Sequence, residues 1–156
     1  MAFEQLSDPI YLVFSCQQQI IDTEEKVLKT LEYQITIPSA HAFLVRMLKA
    51  GHADRKIVQL SCYLLDSTLL SYNLLHYLPS QLAAAAVYIA RRTVGRNGWS
   101  PTLLKYASYC EEEVIPIARA ILNEKADANP DLKAVNKKYA NRHYGGVATT
   151  TFQQDF

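Results

Sequence analysis

At 156 residues, with 49% apolar and 20% charged side chains, the chain has the size and composition of one ordinary globular domain, not of a disordered segment. A formal net charge of +1 gives no support to a general electrostatic binder of nucleic acid or acidic membranes. Cys16, Cys62 and Cys110 are isolated, odd in number and free of C-x-x-C spacing, so they read as buried thiols of a reducing compartment, with no disulfide framework and no zinc site.

No basic region opens the N-terminus, and the apolar run over residues 10–14 is too short for a signal sequence, which predicts a soluble intracellular protein. Ser15 is a candidate helix N-cap, with Gln18 three residues on to close a capping box. Ile20, Ile21, Val27, Leu28 and Leu31 then share one broad helical face, and Asp22, Glu24, Glu25, Lys26 and Lys29 surround the rest. Thr36-Ile37-Pro38 stops this helix, because a residue before proline avoids the α region. Ser39 starts the next one, Phe43, Leu44, Met47 and Leu48 follow at helical spacing, and Gly51 ends it. A third helix is expected from about Asp54 to Ser67, burying Ile57, Val58, Leu60, Leu64 and Leu65. Residues 69–78 form an apolar connector that should be withdrawn from water.

Pro79 and Ser80 start the central helix, and Gly95 closes it. Its residues 82–90 are nine consecutive apolar side chains with no polar face, so the helix must be wrapped by protein or lie in lipid. Nine residues fall far short of the roughly 20 that span a bilayer, so a soluble bundle with this helix at its centre is expected, and no membrane. Ala83, Ala84, Ala85 and Ala86 let neighbouring helices come close. Ser100-Pro101 is another helix start, and Glu111, Glu112 and Glu113 open a further helix at the positive end of its dipole, followed by Val114, Ile117, Ile121 and Leu122. Asn129-Pro130-Asp131 begins a short last helix with Leu132, Val135 and Tyr139; Gly145-Gly146 ends it, and a loosely ordered tail follows. The fold class is all-α, a bundle of about seven helices.

The pattern search for chemistry is mostly negative. His41, His52, His76 and His143 lack metal-ligand spacing, and there is no G-x-G-x-x-G, Walker loop or G-x-S-x-G elbow around Ser61. Neighbouring glutamates at 111–113 point about 100° apart and do not converge on one ligand. Arg91, Arg92 and Arg96 read as cations at a helix C-terminus, and Lys133, Lys137, Lys138 and Arg142 as a solvated face. Tyr106 and Tyr109 read as packing residues of one helix face. The residues alone describe a non-catalytic helical interaction domain with no cofactor and no metal.

Four blocks carry a resemblance: residues 43–50 (FLVRMLKA), residues 77–90, Trp99-Ser100-Pro101-Thr102-Leu103 with Tyr109 beyond, and residues 132–139 (LKAVNKKY). In this order and at these separations, the chain over residues 17–147 resembles the mitotic cyclins, the B-type more than the A-type. Such cyclins carry two five-helix boxes. Residues 38–156 look like the second box with its C-terminal helix and tail. Residues 1–37 look like a non-family leader plus only the last helix of the first box, running from Ser15 to Tyr33. The resemblance makes residues 82–90 the third helix of the second box, and gives Phe43, Leu82, Ala83–Ala86, Ile89 and Trp99 as its structural core.

On that alignment the family's Met-Arg-Ala-Ile-Leu motif, its substrate-docking patch and its kinase-gripping lysine match nothing here. A fragment, or a truncated product with its own start, is the expectation. Glu24 matches the acidic residue that faces the kinase, and Tyr33 and Ile35 match the positions that pack on the kinase's regulatory helix. The implied partner is a cyclin-dependent protein kinase, regulated allosterically in mitosis, in nucleus and cytoplasm, with no enzyme activity in the chain itself. The face of Ile20, Val27 and Leu31, without first-box helices, predicts self-association or burial on the second box. Two alternatives stay open: a cyclin-like domain that does not activate a kinase, and a transcription-factor-IIB-like box, which the near-neutral charge and the mitotic-type motifs disfavour.

Overall fold

The computed structural model describes residues 9–127 and 132–152, with side chains from residue 17 onward. Among the described residues there are seven α-helices, three short 3-10 turns and no strand. They are α1 (Pro9–Thr30), α2 (Ala40–Ala50), α3 (Arg55–Thr68), α4 (Pro79–Thr93), α5 (Pro101–Ala107), α6 (Glu111–Ala126) and α7 (Ala134–Ala140). The chain divides into two compact units, Met1–Ile37 and Pro38–Phe156.

In the second unit α4 is the axis. Ala83 to Ala90 are all buried, and α2, α3 and α6 pack around them. Small side chains on α4 permit this, since the distance between helix axes follows side-chain size at the contact. Ile89 and Trp99 are buried; Phe43 and Leu82 are half-buried and pack on the edge of the same core. Trp99 donates its indole N–H to the Tyr109 carbonyl at 3.0 Å, so its polar atom is satisfied while the ring packs 6.5 Å from Tyr88.

Local chemistry sets the helix ends. The Asp54 carboxylate accepts from the Ile57 N–H at 2.9 Å and starts α3; Ser100 does the same for Leu103 and starts α5. Pro79 opens α4, where the Gln81 side chain accepts from the Leu78 N–H. The Glu113 carboxylate accepts from the Cys110 N–H at 2.8 Å and closes the start of α6.

Several expectations need correction. The first helix starts at Pro9 and ends at Thr30, so position 15 is interior and is no N-cap. Gly51 does end α2, as its C-cap with φ −83°, and the left-handed residue is His52 just beyond it. In the 69–78 connector only Leu74 is buried; Leu69, Tyr72, Leu75 and Leu78 stand in solvent, because one short 3-10 turn (Tyr72–Leu74) can turn just one side chain inward. Arg91 is no surface cation. It is 8% exposed, its Nε–H donating to the Asn97 carbonyl at 2.9 Å and its terminal N–H to the Gly51 carbonyl at 3.2 Å. The expected start of the last helix, 129–131, lies outside the described residues. Cys62 and Cys110 are free thiols, half-buried instead of fully buried.

The described part of the segment after α7, as far as residue 152, is packed, and the rest of the expected loose tail lies outside the described residues. The Tyr139 ring is buried 5.3 Å from Tyr63, and its hydroxyl donates to Asp66 at 2.9 Å, beside the Lys138 ammonium at 2.8 Å. Beyond the left-handed pair Gly145–Gly146, Val147 is buried and Phe152 stacks on Tyr63 at 6.2 Å.

Two substitutions test this packing. A β-carbon on Gly98 would overlap the buried Tyr88 ring, 2.8 Å from its Cδ2, so Gly98→Ala should destabilise by about 1–3 kcal/mol in thermal or urea unfolding. Ser61 is fully buried and its hydroxyl has no hydrogen-bond partner, so Ser61→Ala should raise stability by about 1 kcal/mol in the same measurement.

Candidate functional site

Glu24, Tyr33 and Ile35, the three positions that the resemblance marks as kinase-facing, all belong to the first unit. Along α1, Gln18 donates to Asp22 at 2.9 Å, and Lys29 pairs with Glu25 one turn back. The exposed Glu24 carboxylate makes no ion pair among the described residues. Ile20, Ile21, Val27 and Leu31 give the same helix an exposed apolar face.

Just beyond α1 stand two successive left-handed residues, Glu32 (φ 50°) and Tyr33 (φ 59°). The Tyr33 N–H donates to the Leu28 carbonyl at 2.9 Å and the Glu32 N–H to the Lys29 carbonyl at 3.1 Å, the two bonds of a Schellman turn. Non-glycine residues in this conformation cost about 1–2 kcal/mol each, so the turn carries strain that its hydrogen bonds must offset. The Ile35 N–H bonds back to the Tyr33 carbonyl at 3.0 Å. Tyr33 and Ile35, 65% and 60% exposed, therefore project from a hydrogen-bonded turn. Apart from that backbone bond between Tyr33 and Ile35, no hydrogen bond, ion pair or ring contact joins the three positions to one another among the described residues.

In the second unit a polar cleft of about 330 Å³ lies between the end of α3, the 3-10 turn, the end of α6 and α7. Glu124 accepts there from the Ser71 hydroxyl and from the Asn73 amide at 2.9 Å, and these donors hold its carboxyl below the usual glutamate range. The Lys125 ammonium donates to the Tyr63 hydroxyl and sits 4.0 Å from the Tyr63 ring centroid. Burial pushes this lysine below its ordinary value. The Tyr63 hydroxyl in turn donates a hydrogen bond to the Asn136 side-chain oxygen at 2.6 Å. The sequence reading missed Lys125, although it falls four residues beyond buried Ile121 on one face of α6. Among the described residues no three His, Cys, Asp or Glu side chains converge on a common point, and no helix is long and apolar enough to cross a membrane.

Residues 38–153 match the family described as "Cyclin, C-terminal domain". The chain is 31% identical over 141 residues to G2/mitotic-specific cyclin-3 of Saccharomyces cerevisiae, covering 89% of this chain and 33% of that protein. It is 34% identical over 146 residues to Cyclin-B2-4 of Arabidopsis thaliana (92% and 33%). With G2/mitotic-specific cyclin-B of Hydra vulgaris it shares 35% over 140 residues (87% and 38%). The chain thus spans about a third of the length of the curated relatives it matches.

The Glu124 carboxylate gives the cleft an acid-sensitive hold. Its folded-state pKa lies below the unfolded value, so its contribution is present above the unfolded pKa and is lost as pH falls through the folded one. In melting curves from neutral pH to about pH 3, wild type should lose more than Glu124→Gln, and the two should converge at the acid end.

Proposed function

Because the chain belongs to the cyclin family and carries that family's C-terminal domain, we propose that it is a regulatory subunit, or part of one, that binds a cyclin-dependent protein kinase in mitotic cell-cycle control. The observation that carries this reading is the match over residues 38–153, together with relatives named as mitotic cyclins. The exposed pair Tyr33 and Ile35 supports it from the other unit, as a contact surface awaiting a partner.

The mechanism is allosteric. The cyclin supplies no catalytic group; it binds one conformation of the kinase better than the other and shifts the population toward it. Tyr33 and Ile35 pack against the kinase helix whose glutamate pairs with the catalytic lysine, and the activation loop opens in consequence. Glu24 adds a negative charge to the same surface. The second unit contributes a rigid support, with α4 as its axis, and acts in nucleus and cytoplasm with its kinase.

The test is a pull-down with a cyclin-dependent kinase followed by a phosphorylation assay. Wild type should retain the kinase. Truncating two exposed apolar anchors removes about 1.5–3 kcal/mol each if both are fully buried in the complex, so Tyr33→Ala with Ile35→Ala should weaken binding by more than about tenfold. The melting temperature of the second unit should not move. Binding without activation would assign a competing role instead; no binding by wild type would sink the proposal.

A further inference from the structure

We infer that the groove between α2 and α5 is a docking site for an acidic peptide segment of a partner protein. It is an open groove of about 600 Å³ whose lining includes Ala42, Val45, Arg46, Lys49, His52 and Tyr106, with no carboxylate among its lining residues. The Arg46 guanidinium stands 5.8 Å from the Tyr106 ring centroid, and Tyr106 remains 45% exposed. Among the described residues neither Arg46 nor Lys49 forms an ion pair.

The segments that carry the groove, together with the start of α3, have a one-sided charge. Residues 38–60 and 99–109 hold Arg46, Lys49, Arg55, Lys56 and Lys105 against Asp54 alone, five minus one, or +4. The whole chain is +1, so everything outside these segments sums to −3. Asp54 cannot neutralise the groove, because one of its oxygens accepts from the Ile57 N–H and the other pairs with Arg96 at 3.1 Å. The carbonyl end of α2 contributes roughly half a negative charge near Lys49 and His52, less than the charge of Lys49 alone. The groove therefore stays electropositive.

Its chemistry selects a carboxylate-bearing peptide. A planar guanidinium takes a carboxylate with two parallel hydrogen bonds, and Arg46 has its donors free for that. The Tyr106 ring and the small side chains of Ala42 and Val45 accept a short apolar residue between the acids. The site lies wholly within the second unit and does not depend on kinase binding.

Fluorescence anisotropy of the full chain tests the inference, using a short labelled peptide of interspersed glutamates and leucines and its glutamine counterpart. The glutamate peptide should bind at least about tenfold more tightly than the glutamine one, and should weaken severalfold between about 50 and about 200 mM salt. Arg46→Glu with Lys49→Glu should abolish binding, and Tyr106→Ala should weaken it severalfold, with unchanged circular dichroism because all three side chains are exposed. Equal binding of the two peptides, retention by the charge-reversed variant, or no binding at all would overturn the inference. So would capture of a phosphoserine peptide or a DNA oligonucleotide without the glutamate peptide.

Discussion

Everything in the second unit follows from the need to keep α4 dry. A helix whose residues 83–90 are all buried offers no polar face to water, so other helices must cover it on every side. α2, α3 and α6 do so, and the alanines fix how closely they approach. The remaining pieces are secured to those covering helices. α5 lies on α2, and α7 with the turn after it is held on α3 by the Tyr63, Tyr139 and Phe152 rings. The outer surface is free to vary in chemistry because none of it is needed to shield the axis.

That division places function on the outside. The described residues bring together no metal-ligating cluster, and the polar groups that do meet are used to hold segments together. Lys125 supports the Tyr63 ring, Asp66 receives Tyr139 and Lys138, and Glu124 ties the connector to α6. Binding surfaces are then the places where side chains lack such internal partners. Tyr33 and Ile35 are the apolar examples we propose; Arg46 and Lys49 are the charged ones.

Much of the fold is legible in the sequence because helix ends are chemically local. Asp54, Ser100 and the 111–113 glutamates sit within a few residues of the backbone groups at the helix starts, Pro79 needs only its own fixed φ, and all start helices where their spacing says they should. Burial is a tertiary property, and the misreadings fall there. The 69–78 connector reads as apolar and is mostly exposed, since sequence alone does not say which surface lies beneath it. Arg91 reads as a terminal cation and is buried, because its partners are carbonyls brought from residues 51 and 97. For the candidate kinase surface, the residue types are visible but the strained turn is not, as neither Glu32 nor Tyr33 is a residue that favours the left-handed region.

Arg91 has one more consequence. Both of its hydrogen bonds end on main-chain oxygens, so the bridge is indifferent to which side chains the two loops carry. Asn97 can be exchanged without losing it, provided the backbone keeps its path. The arginine itself has no substitute: a lysine ammonium is a compact charge on a flexible stem and cannot reproduce a flat fork reaching two diverging oxygens. One side chain thus makes the end of α2 and the loop before α5 a single mechanical part, and a load applied to either is shared by both.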